Sequence, residues 1–205
     1  MHKKKRMLTK TIIIFIISIL PSNYLRVYLL NKFEGFNDLK KFGCFNFFIF
    51  KSIQIKKSYI GNFNFINSEK ITIYKSKIGN LNNISKFKNI KINNKSIIGS
   101  RNFIKNSRFK SLLMNKSQIS TNCYMESYGN LFIGKNVVFG GLNTKILNID
   151  NNTENTVFKN NIFIGSNSNI KSGIKVSKDI IIGAGSYINT SLNNQGLYST
   201  LNIYK

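Results

Sequence analysis

Few residues in this chain can do chemistry at neutral pH. Its 205 residues hold a single histidine, His2, inside a basic N-terminus that continues Lys3-Lys4-Lys5-Arg6. Cys44 and Cys123 are the only cysteines, and they give neither a disulfide framework nor a metal-ligand spacing. No metal site is expected, and a reducing compartment fits. Lys and Arg total 31 against 7 Asp and Glu, a formal charge of +24. With no imidazole in the body of the chain, two kinds of group remain for catalysis. A carboxylate could act as base if burial raised its pKa toward neutrality, and a thiol could act in an electropositive, partly exposed setting.

The charge itself raises the question of a nucleic-acid partner. Beyond the N-terminus, however, the lysines are scattered along the chain with no dense stripe. They accompany abundant Ile, Asn, Phe and Tyr, a composition that an AT-rich genome favours. Specific nucleic-acid binding is therefore not expected. The scarcity of acids agrees with an anionic membrane surface or a phosphorylated cofactor as partner.

The elements that must position any site are written in a repeated phrase. Ile60-Gly61-Asn62-Phe63-Asn64-Phe65-Ile66 returns as Ile78-Gly79-Asn80-Leu81-Asn82-Asn83-Ile84 and as Ile98-Gly99-Ser100-Arg101-Asn102-Phe103-Ile104. It returns again from Ile164 and from Ile182, and aliphatic residues fall at every sixth position through Ile164, Ile170, Val176, Ile182 and Ile188. Leu113 to Ile119 and Ile133 to Phe139 are weaker copies. A period of six suits neither an amphipathic helix nor an alternating strand. It predicts a parallel β-helix, in which each hexad forms a short strand and a corner and three hexads close one coil. The aliphatic residue points inward, the Gly serves a sharp bend, and the later Asn tolerates left-handed backbone angles. Six or seven coils are expected. Ile60 to Ile78 is three hexads, whereas Ile78 to Ile98 is two residues longer, and such insertions belong at corners.

The expected organisation is an all-β solenoid over 46–192, an N-terminal basic and apolar helical segment over 1–45, and a tail over 193–205. The apolar run Thr11 to Leu20 ends at Pro21 and is shorter than the ~18 residues a spanning helix needs. It has the length of a signal-peptide core, yet no small-x-small cleavage site follows. With Tyr24 to Phe33 it reads as a helical hairpin that either caps the first coil or lies on a membrane.

These residues resemble the hexapeptide-repeat acyltransferases, in particular the branch that O-acetylates bacterial cell-surface polysaccharides. The likeness is carried by the repeated Ile-Gly phrase and by Ile181-Ile182-Gly183-Ala184-Gly185-Ser186. The resemblance, and nothing in the periodicity, implies a left-handed coil, a homotrimer and an acetyl-CoA groove between neighbouring prisms. It implies a saccharide acceptor and, because acyl-CoA is a cytosolic donor, a cytoplasmic location, to which the N-terminal segment adds peripheral contact with the inner membrane. Gly165, Ser166, Gly183, Ala184, Asn189 and Thr190 would then lie beside the pantetheine arm, with Lys175, Lys178 or Lys205 toward the CoA phosphates.

Family members generally use a His as base, and here the chain departs from them. The hexad phase places Cys123 where relatives tend to carry that His, and the other usual location, between Leu142 and Asp150, has none. A displaced base is sought among Cys123, Glu126 and Asp150. Three readings stand: an acyltransferase with a moved base; a non-catalytic scaffold that binds glycan or a protein partner; and a basic membrane- or nucleic-acid-associated structural protein.

Overall fold

The six-residue period becomes a three-sided coil. In the computed structural model, which describes residues 2–199, parallel strands stack into a left-handed β-helix preceded by two helices. The second face of the prism is a nine-stranded sheet running from Lys41–Phe42 to Gly196–Tyr198. The first and third faces are joined into one sheet because Phe65–Tyr74 and Asn83–Asn93 run round the corner between them. On the second face Phe42, Ile60, Ile78, Ile98, Ile119, Phe139, Ile164 and Ile182 lie in register, one per coil. None of them is more than 2% exposed. Fully burying such a side chain stabilises by roughly 1.5–3 kcal/mol, and the column is as long as the molecule. The later hexad residues Ile170, Val176 and Ile188 are buried on the other two faces.

Among the described residues nine coils replace the six or seven expected. The extra coil at the start uses aromatic residues where the phrase has Ile: Phe42-Gly43-Cys44-Phe45-Asn46-Phe47-Phe48 repeats Ile60 to Ile66 position by position. Phe42 and Phe48 stack at 5.8 Å and fill the core of the first coil.

The roles of Gly and Asn within the phrase differ from the sequence reading. Gly61 and Gly79 are required by the coil above rather than by a bend. A Cβ on Gly61 would lie 2.4 Å from the Gly79 carbonyl oxygen, and one on Gly79 2.5 Å from that of Gly99. The left-handed residues come two positions later and are Phe63, Leu81 and Arg101, with φ of 55, 58 and 58. Asn64, Asn82 and Asn102 instead point inward and form a buried ladder. The Asn64 Oδ1 accepts from the Asn82 backbone N at 3.1 Å and from its Nδ2 at 3.0 Å, and the Asn82 Oδ1 accepts from the Asn102 N at 3.0 Å. A second ladder of Ser58, Ser76, Ser96 and Ser117 lines the corner between the first and second faces. Apart from the Asn102 Nδ2, which has no partner, both ladders satisfy polar groups that the corners would otherwise strand inside the core.

Irregularity is kept to corners. The two extra residues between Ile78 and Ile98 divide into a register slip after Ile66 and a pair of left-handed residues, Asn94 and Lys95, opposite the single Lys75. Longer insertions, 107–110 and 148–155, both leave at the corner between the third and first faces.

The helices close the open end. Helix α1, His2–Ile19, and helix α2, Asn23–Asn31, pack on the first coil through Ile14 and Leu30, both fully buried. Phe15 meets Phe47 edge-on at 5.5 Å. Buried Arg26 donates from Nε to the Phe42 carbonyl at 2.7 Å, an edge group with no coil beneath it, and from Nη1 to the Leu20 carbonyl at the end of α1. Leu8, Ile12, Ile16 and Ile19 remain exposed along α1. Among the described residues no helix is long and apolar enough to cross a membrane.

The ladder makes a definite demand. Asn82→Ala strands partners on both adjacent coils and should lower stability by roughly 1–3 kcal/mol. Lys116→Ala, at an exposed corner, should change it by less than about 0.5 kcal/mol. Urea unfolding of the two variants would check this, and equal midpoints would show that the ladder does not carry load.

Candidate active site

Most of the candidate residues surround the third face, but they face different ways. Cys123 points into the prism. It replaces the Asn of the ladder, its backbone N donating to the Asn102 Oδ1 at 2.8 Å and its Sγ lying 3.6 Å from the Gly140 carbonyl oxygen. It is 2% exposed, and burial pushes its thiol up to about 11. Such a thiol carries almost no thiolate at neutral pH and faces no open surface, so Cys123 acts as a core residue here.

Glu126 points out. It lies in the strand Tyr124–Ser127, opposite Lys105 on the coil below. Its Oε1 accepts from the Ser107 hydroxyl at 2.8 Å and lies 3.3 Å from the Lys105 Nζ, and its Oε2 accepts from the Tyr124 hydroxyl at 3.1 Å. Partial burial would raise its pKa, but the hydrogen bonds from Ser107, Tyr124 and Lys105 outweigh that and hold the carboxyl below its usual range. Burial, then the adjacent carboxylate, pushes the Tyr124 hydroxyl the opposite way, above its usual value. Phe103 stacks on Tyr124 at 5.2 Å and fixes the ring that presents this hydroxyl. The result is a carboxylate that stays charged and holds one geometry.

Asp150 sits on the 148–155 insertion, over half exposed, and pairs with Lys171. Leu147 is in register with Lys171. Since Met125 pairs with Ile146, Glu126 and Lys171 fall on one outward column two coils apart. At ~4.8 Å per coil that is about 10 Å. Asn189 continues the column one coil further, with Thr190 beside it at the exposed corner.

Gly165, Ser166, Gly183 and Ala184 are brought together on the opposite edge of the third face. A Cβ on Gly165 would lie 2.4 Å from the Ala184 backbone N, so the two coils touch there without side chains between them. A Cβ on Gly185 would meet nothing within 4 Å, and that corner's backbone is open to an elongated ligand. Lys175 is exposed on the first face and Lys178 at the corner between the first and second faces, so the fold does not bring either to this edge, whereas Lys205 lies outside the described residues.

Sequence reasoning missed Ser107, Tyr124 and Lys105. The signal was the register: Phe103 and Tyr124 lie one 21-residue coil apart, as do Lys105 and Glu126. A search for a substitute for His, residue by residue, does not see a group assembled across two coils.

No protein-family model matches the chain. Over 73 residues, 35% of this chain, it is 33% identical to "Bifunctional protein GlmU" of Wigglesworthia glossinidia brevipalpis. The matched stretch is 16% of that protein's length, so the chain spans only a small part of its relative. This similarity and the solenoid together fit the hexapeptide-repeat proteins.

The thiols should report the difference between an outward and an inward side chain. With a disulfide reagent at pH 7.5, half-buried Cys44 should react well before Cys123, and Cys123 should respond fully only after denaturation. A Cys44→Ser variant isolates the slow thiol; rapid native-state labelling of Cys123 in that variant would contradict its placement in the ladder.

Proposed function

We propose that this protein is an acyl-CoA-dependent O-acyltransferase, with acetyl as the acyl group and a saccharide hydroxyl of a surface polysaccharide as acceptor. The observation that carries the reading is Glu126. In a chain with 7 acids, this one is turned outward and held by two hydroxyls and an ammonium on the third face. The similarity to GlmU and the coiled scaffold support the transferase class.

The proposed step is direct transfer. The acceptor hydroxyl attacks the thioester carbonyl, Glu126 takes the hydroxyl proton, and the tetrahedral intermediate collapses with release of the CoA thiolate, which is then protonated. Bound acetyl-CoA would supply the activated acyl group, and the small-residue edge at Gly165, Ser166, Gly183 and Ala184 fits the close backbone approach its pantetheine arm needs. Asn189 and Thr190, across the same face, are the proposed polar contacts at the other side. A carboxylate with a lowered pKa is a weak base, so turnover is slow.

Self-association and membrane contact belong to the same proposal. On the second face Phe163, Ile181 and Leu197 form an apolar column, each at least half exposed, which supports packing of three prisms. The apolar stripe on α1, continuing from the basic segment Lys3-Lys4-Lys5-Arg6, supports peripheral attachment to anionic lipid at the cytoplasmic side. The second reading, a scaffold without chemistry, is favoured by one observation, the lowered pKa of Glu126 in a site with no imidazole.

Release of thiol from acetyl-CoA with a panel of bacterial glycans decides between the two. Turnover abolished by Glu126→Gln, with CoA binding retained, is the expected result; binding without turnover in the parent protein selects the scaffold. Because Glu126 is held below the usual carboxylate pKa, the base form is complete throughout neutral pH. The rate should be flat from pH 6 to 8 and fall only in acid below about 4.3, the ordinary Glu value, whereas a His base would give an inflection near 6.5. Light scattering should give about three times 23.5 kDa, and Ile181→Lys should shift the population toward monomer.

A further inference from the structure

The first face carries a feature that acyl transfer does not use. Near the capped end, a cavity of about 530 Å³ opens on the first coils, lined by Asn37, Gln54, Lys56, Thr72, Tyr74 and Asn93 among others. These side chains line up because Gln54 is in register with Thr72, and Lys56 with Tyr74 and then Asn93. The set combines one aromatic ring with amides, a hydroxyl and an ammonium. A ring face packs on the C–H surface of a sugar while amides and hydroxyls exchange hydrogen bonds with its hydroxyl groups.

The charge around the cavity is mostly positive. Lys56, Lys57 and Lys75 converge on Tyr74, and the Lys75 ammonium lies over the Tyr74 ring at 5.1 Å from its centroid. A hydrogen bond from Lys75, with the charges of Lys57 and Lys56, pulls the Tyr74 hydroxyl below its usual pKa. The acid at the rim, Asp38, is already engaged by Lys40 at 2.6 Å. Asn93 adds an independent sign: its Oδ1 is buried without a hydrogen-bond partner, so turning that amide toward a ligand breaks nothing.

We propose that this cavity is a docking site for an acidic saccharide, one bearing carboxylate or phosphate groups, separate from the proposed transfer site on the third face. The ring and amides recognise the sugar, and Lys56 and Lys57 pair with its acid groups. The Lys56 column runs on through Tyr74 and Asn93 to Asn115, whereas the Gln54 column turns apolar at Leu113, so the site suits a short run of sugar units better than a single one.

Calorimetric titration of the full-length protein at 0.15 M salt tests the site, with a galacturonic-acid oligomer, glucose 1-phosphate and a neutral glucose oligomer as probes. Saturable binding of the first or the second is expected, and the tighter of the two identifies carboxylate or phosphate as the acid group. The neutral oligomer should bind at least tenfold more weakly. Lys56→Gln and Tyr74→Ala should each weaken binding at least fivefold, and Lys159→Gln, on a distant coil, should leave it unchanged. Equal weakening by Lys159→Gln would reduce the effect to general charge and overturn the proposal. So would single-stranded DNA that binds as tightly as the acidic sugar and with the same dependence on Tyr74. Thiol release from acetyl-CoA is unaffected in Lys56→Gln, so loss of this site and loss of the transferase reading are separate results.

Discussion

Everything in this molecule depends on like coils resting on one another at the spacing of β-strands. That spacing leaves no room for a Cβ where Gly61 and Gly79 face the coil above, and it places each inward residue on its equivalent below. It also brings polar corner groups into the interior, where the Asn and Ser ladders pair them. A stack of this kind has no lateral closure, so its ends are exposed edges. The α1–α2 hairpin and the donors of Arg26 meet that need at one end.

The same constraint decides what each candidate residue can do. A residue in a strand either enters the core or leaves it, and one step along the chain reverses the choice. Cys123 falls on an inward step and is silenced by burial. Glu126, three residues later, falls on an outward step and meets partners from its own coil and the one below. Insertions leave only at corners, which is how Asp150 comes to lie beside the third face without disturbing it.

Much of the fold was legible in the chain because the period of six has few structural solutions. The inward column and the parallel stacking followed from Ile spacing alone. The first coil escaped because Phe42 and Phe48 stand in for Ile, a substitution of shape that the core accepts but a search for the Ile-Gly phrase does not. The work of Asn64 and Asn82 was misread for a different reason: an Asn near a turn has two good uses, a left-handed backbone or a buried amide ladder, and sequence alone does not separate them. The surroundings of Glu126 were out of reach until the register was known, since Lys105 and Ser107 approach it only through coil stacking.

In the proposed reaction CoA and acceptor would meet on the third face, between the small-residue edge and the Glu126 column. Hydrogen–deuterium exchange of the full-length protein with and without coenzyme A tests it most directly. Coenzyme A should slow exchange in peptides covering Gly165 to Ser168 and Gly183 to Thr190, with the helices and the first-face cavity unchanged. Protection confined to the first face or to the helices, or none at saturating coenzyme A, would contradict it.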